Sequence, residues 1–137
     1  MPTARYLLDT NIVSDLIRNP QGRIAAHIAK IGEASVCTSI IVAAELRCGA
    51  AKKGSLRLTA QLESVFSGLE ILPFEAPAEV TYGDVRARLE AIGKPIGGND
   101  MLIGAHAISL GYTIVTDNER EFSRIDGLPL KNWLRHD

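Results

Sequence analysis

No long apolar run occurs in this chain of 137 residues: the longest, Ile40 to Ala44, is far too short to cross a membrane. Before Asp9 the chain carries only Tyr6, Leu7 and Leu8 as a hydrophobic start, which is no signal-peptide core. Together these absences predict a soluble cytoplasmic protein. Cysteine is scarce as well. Cys37 and Cys48 both lie in apolar stretches and read as buried free thiols rather than as a disulfide. His27, His106 and His136 are isolated, so no Cys/His spacing marks a zinc site. An excess of either charge is also missing. Fifteen basic residues against sixteen acidic give a net charge of −1, which does not point to a strongly basic nucleic-acid binder. With no repeat, linker or low-complexity segment, residues 1–137 read as a single domain.

What is present is a pattern of short apolar segments. Hydrophobic residues make up 46% of the chain, enough for a core without metal or disulfide support. "ARYLLDT", "ASVCTS", "EILPF" and "YTIVT" read as strands, and "LPLKNWL" holds a fifth, short one packed down by Trp133. Helical spacing covers "NIVSDLIRN", "GRIAAHIAKIG", "SIIVAAELRCGAAKK" with Ser39 as N-cap, "SLRLTAQLESVFSGL", "PAEVTYGDVRARLEAIG" and "DMLIGAHAISLG". "KPIGGN" and "DNEREF" read as loops, the former suited to a sharp bend or a close approach. Strands alternating with helices predict an α/β fold with a parallel sheet of four or five strands and helices on both faces. In such folds functional groups collect beyond the carboxyl ends of the strands. That rule selects Asp9, at the tip of the first strand, and Asp117 with Asn118, directly after "YTIVT".

Two further carboxylates stand out. Glu45 lies inside its helix, past any capping position, with Ile41, Val42, Cys48 and Gly49 as same-face neighbours. Asp100 opens a helix whose Ile103, Gly104, Ala107 and Ile108 form an apolar face. Ordinary explanations exist for each: capping for Asp9, a buried ion pair for Glu45, a helix-dipole partner for Asp100 with Asn99 as cap, a solvated loop for Asp117, Asn118 and Glu121. Three or four carboxylates meeting in one pocket repel each other unless some stay protonated or a cation lies between them. Oxygen-only ligation selects a hard ion such as Mg²⁺ or Mn²⁺. Thr10, Asn11 and Thr116 are placed to orient such ligands. The only strong local charge is basic: Arg47, Lys52, Lys53 and Arg57 fall between Leu46 and Leu62 with no acid, and Arg86, Arg88 and Lys94 form a second, diluted group. Either is a solvated helix face or a phosphate-binding one.

"LLDTNIVSDLI", "SIIVAAELRCGAAK" and "PIGGNDMLIGAHAISLGYTIVTDNEREFSRIDGLPLKNW", in that order, closely resemble the PIN-domain ribonucleases, and among them the VapC toxins of VapBC toxin–antitoxin pairs. The resemblance runs from about residue 6 to 134. It implies an α/β/α domain that hydrolyses RNA, possibly tRNA, with Mg²⁺ or Mn²⁺. It places the family's metal ligands on Asp9 and Asp100 and its glutamate on Glu45, and a fourth acidic position on Asn118, where this chain departs from the pattern. Asp117 or Glu121 is then the alternative fourth acid. A cognate VapB-like antitoxin and a homodimer are also implied, with residues 40–69 as the docking surface; core packing is the plainer role for Leu58, Leu62, Val65, Phe66 and Leu69 there.

Rival readings fit less well. A D-x-D phosphatase needs an aspartate where this chain has Asn11, and a receiver domain needs an acid where it has "LPF". A catalytically silent module on the same fold draws its support from Asn118.

Overall fold

The computed structural model describes residues 5–135. One five-stranded parallel sheet forms the centre, built from β1 (Tyr6–Leu8), β2 (Val36–Ser39), β3 (Glu70–Leu72), β4 (Thr113–Val115) and β5 (Leu130–Lys131). Around it lie α1 (Thr10–Arg18), α2 (Arg23–Ile31), α3 (Ile40–Lys53), α4 (Leu56–Ser67), α5 (Ala78–Ala91), α6 (Gly98–Leu110) and α7 (Glu119–Phe122). The four expected strands and the short fifth are all there. The segment "DNEREF" is a helical turn rather than a loop: Phe122 is fully buried and anchors α7 against the core.

Strand order is β3-β2-β1-β4-β5. The chain therefore winds outward from β1 in one direction, then restarts beside β1 and winds in the other. The switch point falls between β1 and β4, and a crevice opens beyond their carboxyl ends. Register makes this specific. Leu8 pairs with Val115 on one side and Thr38 on the other, and the Asp9 N–H continues the ladder by donating to the Val115 carbonyl at 2.9 Å. Asp9 thus leaves the sheet opposite Thr116.

β1 is buried on both faces, as the central strand of a covered parallel sheet must be. Leu7 and Leu8 have no exposed surface, and each contributes about 1.5–3 kcal/mol by burial. α1 buries Ile12, Val13 and Ile17. α6 buries most of its circumference, from Met101 to Ala107. Gly104 lets α6 pack close there: a Cβ would stand 2.6 Å from Ile125 Cδ1 and push that side chain aside. α3 starts as expected: Ser39 Oγ accepts the Ile41 N–H at 3.0 Å. The same hydroxyl lies 2.8 Å from Nδ1 of buried His106, a structural contact between α3 and α6. Trp133 packs the chain end down, stacked on His27 at 4.0 Å between ring centroids. His136 lies outside the described residues. Both cysteines are free thiols; Cys37 is buried as expected, whereas Cys48 is exposed, because its face of α3 borders an open cleft and not the core.

Candidate active site

The carboxylates come from four different elements and meet at the switch point. Asp9 occupies the N-cap position of α1, yet its side chain makes no capping bond; only its backbone carbonyl serves the helix, accepting from Ile12 and Val13. Asp9 Oδ2 accepts from Thr116 Oγ1 at 2.7 Å. Asp9 Oδ1 is buried without a well-formed hydrogen bond, on a residue only 3% exposed; the Thr10 backbone N–H lies near the carboxyl but does not complete one to it. A buried carboxylate oxygen left unpaired costs free energy, so capping does not account for Asp9.

Glu45 is half-buried, at the rim and not in the packed interior its neighbours suggested. Its Oε1 accepts from Thr10 Oγ1 at 2.7 Å. It also borders a cleft of about 390 Å³ lined by Ile41, Ala44, Cys48 and Asn99. Asp100 stands in the first turn of α6, whose N-cap is Gly97; neither Asn99 nor Asp100 caps the helix. The two glycines before it have ordinary negative φ, and a Cβ on Gly97 would meet Asp100 only at ordinary contact distance. Neither glycine therefore uses the left-handed backbone or the close approach that would demand glycine in "PIGG".

Asn118 joins the halves of the cluster. Its Nδ2 donates to Asp100 Oδ2 at 3.3 Å and to Glu121 Oε2 at 3.1 Å, while its backbone N–H donates to Thr116 Oγ1 at 2.9 Å. Of the two alternative fourth acids, Glu121 faces the site. Asp117 turns away, bound to Asn132 Nδ2 at 3.0 Å and Arg135 Nε at 2.9 Å, and these partners hold its carboxyl below the usual range. Asn11 does not touch a carboxylate; its Oδ1 accepts the Asp117 N–H at 3.0 Å and so holds the turn. Asn132 was not foreseen. The signal was available, since it follows β5 directly and the strand-end rule that selects Asp9 selects it too.

The acids act on one another through their charges. Burial pushes the Asp9 carboxyl up, opposed by the Thr116 hydroxyl and the Thr10 backbone N–H and reinforced by the charge of Glu45. Asp100 is pushed up to about 7, first by burial and then by Asp9, Glu121 and Glu45. Among the described residues, no three Asp, Glu, His or Cys side chains form a ready-made chelating group. Asp9 and Glu45 instead rest on the hydroxyls of Thr116 and Thr10, and Asp100 and Glu121 share the Asn118 amide.

The orphaned Asp9 oxygen, the all-oxygen donor set and the crowding of negative charge fit a hard divalent cation. Two rivals also fall. Asn11 supports a backbone turn, so no second aspartyl site of a phosphatase exists at that position, and the carboxyl end of β3 supplies no acid to this crevice.

Comparison with known proteins agrees with this geometry. The PIN domain model matches residues 6–128. Ribonuclease VapC2 of Rickettsia felis is 38% identical over 93% of this chain and 97% of its own. The tRNA(fMet)-specific endonuclease VapC of Shigella flexneri is 35% identical over 94% and 98%. The crystal structure of DNA-bound VapBC from Salmonella typhimurium superposes with a TM-score of 0.85, at 35% identity over 96% of this chain and 99% of that one. With a family model across most of its length and relatives this similar end to end, the chain belongs to the PIN domain family, among the VapC ribonucleases.

Proposed function

We propose that this protein is a metal-dependent endoribonuclease, the toxin of a toxin–antitoxin pair, working in the cytoplasm on RNA. The observation that carries the chemistry is the meeting of Asp9, Glu45 and Asp100 at the switch point, with one Asp9 oxygen buried and unpaired. Asp9 and Asp100 would hold Mg²⁺, or Mn²⁺ in its place, with Glu45 completing the set. Such an ion, when bound, would supply a more acidic water and charge neutralisation at the phosphate. The residues of this chain supply the positioning. Thr116 fixes one oxygen of Asp9 and leaves the other free to ligate; Thr10 holds Glu45 toward the same space. Asn118, donating to Asp100 and Glu121, keeps those two carboxylates together without adding a further negative charge to Asp9, Glu45, Asp100 and Glu121. Burial and the neighbouring acids raise the Asp100 carboxyl to about 7, so a cation bound there would compete with its proton.

The near-neutral net charge is compatible with an RNA substrate, because the ion reverses the local sign of the pocket. Exposed Lys52, Lys53 and Arg57 are free to meet flanking phosphates, whereas Arg47 is already paired with Glu63. A tRNA substrate is supported by the likeness to the Shigella flexneri tRNA(fMet)-specific endonuclease. An antitoxin partner follows from the VapBC complexes among the structural neighbours, and a homodimer is proposed with it. No helix among the described residues is long and apolar enough to cross a membrane. Residues 40–69 present mixed surfaces for docking: Leu62 and Leu69 belong to the core, while Leu56 is 88% exposed. The test is to sequence RNA 5′ ends after inducing the protein, against an Asp9→Asn control. Discrete new ends in a small set of RNAs, absent from the control, are expected; identical ends in both would overturn the proposal.

A further inference from the structure

Asn132 belongs to none of the acidic positions, yet it is only 3% exposed and sits just past β5, beside the turn that follows β4. Its Nδ2 donates to Asp117 Oδ1 at 3.0 Å and to Glu119 Oε2 at 2.9 Å, and its Oδ1 accepts the Leu134 N–H at 3.0 Å. All its polar atoms are engaged, and only this orientation of the amide satisfies two carboxylates and one N–H together. From the other side, Asn11 Oδ1 accepts the Asp117 N–H, and the Thr116 N–H donates to the Lys131 carbonyl at 3.0 Å. The turn at 116–119 is therefore held between α1 and the chain end. What it carries is the support of the catalytic carboxylates: Thr116 on Asp9, and Asn118 on Asp100 and Glu121.

We propose that Asn132 is a positioning residue, a latch between the chain end and the 116–119 turn that keeps Thr116 and Asn118 in register with Asp9 and Asp100. The inference rests on the metal-dependent reading above. Arg135 also binds Asp117, but at 65% side-chain exposure that ion pair is solvated and weak, so the buried amide carries the latch. Without it, Asp117 and Glu119 lose their shared neutral donor, the turn loosens, and the carboxylates that must hold a cation lose their supports. Loss of such an outer support weakens metal affinity by about 10–100-fold.

The test uses the full chain carrying Asn132→Ala, with Ile28→Ala, at a buried position of α2, as a control destabilised away from the turn. Two readouts are needed: Mn²⁺ affinity by calorimetry, and hydrogen exchange at the amides of residues 116–119. Asn132→Ala should weaken Mn²⁺ binding by about tenfold or more, and exchange at 116–119 should accelerate while β1 stays protected. Asn132→Asp should act more strongly, since its carboxylate would face those of Asp117 and Glu119. Ile28→Ala should melt early with Mn²⁺ affinity intact. Unchanged exchange, or faster exchange with unchanged Mn²⁺ affinity, overturns the positioning role. Wild-type protein that takes up no Mn²⁺ overturns the metal-dependent reading instead, and with it the purpose of the latch; the wild-type titration alone separates that failure from the others.

Discussion

Neutralising Asp100 should stabilise the metal-free protein, against the ordinary expectation for an acidic residue in the first turn of a helix. In the folded chain its carboxyl is raised from an ordinary 3.8 to about 7, by burial first and then by the charges of Asp9, Glu121 and Glu45. A raised carboxyl pKa means that folding favours the protonated form. Below about pH 4 the group is protonated in both states and costs nothing. As pH rises from about 4 to about 7, the unfolded chain ionises freely while the folded one resists, and stability falls. Above about 7 the whole penalty is present. At about 1.4 kcal/mol per pH unit its ceiling is about 4 kcal/mol, and solvent screening at a half-buried site brings this to about 1–2 kcal/mol. The helix dipole opposes it with about 0.3–1 kcal/mol and is outweighed. Asp100→Asn should therefore match wild type at pH 4 and exceed it by about 1–2 kcal/mol at pH 8, roughly 3–8 °C in melting temperature for a domain of this size. Thermal melts in EDTA across that range measure it. Added Mg²⁺ should raise the wild-type melting temperature and leave the variant unmoved. A variant less stable than wild type at pH 8 would refute the reasoning and return Asp100 to a dipole partner.

Thr116→Val removes the hydroxyl that holds Asp9 Oδ2 and should weaken Mn²⁺ binding by about 10–100-fold with the fold retained, as read by calorimetry beside circular dichroism. Asn118→Asp replaces the donor between Asp100 and Glu121 with a further carboxylate; metal-free stability should fall and Mn²⁺ affinity rise, and identical titration curves would place residue 118 outside the site. If the antitoxin silences the enzyme by setting an arginine among these carboxylates, Mg²⁺ and antitoxin compete, so antitoxin affinity should drop as Mg²⁺ is titrated in; no metal dependence alongside full inhibition would put the inhibitory contact elsewhere.

Asp9 and Asp100 were legible because two independent signals marked them: a position at a strand tip or helix start, and more capping residues nearby than any cap needs. Glu45 was legible as a charge on an apolar helix face, but that face looks into a cleft, so the same pattern that revealed the glutamate misjudged its burial and that of Cys48. Periodicity found the five strands and six of the helices. It missed α7, whose four residues are too few to show a period and which is fixed by the burial of Phe122. Sequence could not choose between Asp117 and Glu121, since residues one before and three after Asn118 differ only in which way the turn carries them. Asn132 was marked in the sequence only by its place directly after β5; its role was not legible, because its partners lie 13 and 15 residues away.

The central claim is that RNA cleavage by this chain runs on a divalent ion held by its converging carboxylates. Cleavage of total tRNA by the purified protein, followed as Mg²⁺ is removed with EDTA and then restored, tests it most directly. Activity should vanish in EDTA, return fully with Mg²⁺ or Mn²⁺, and fall at least about a hundredfold in Asp9→Asn at every ion concentration. Undiminished cleavage in EDTA, or an Asp9→Asn protein as active as wild type, would contradict it.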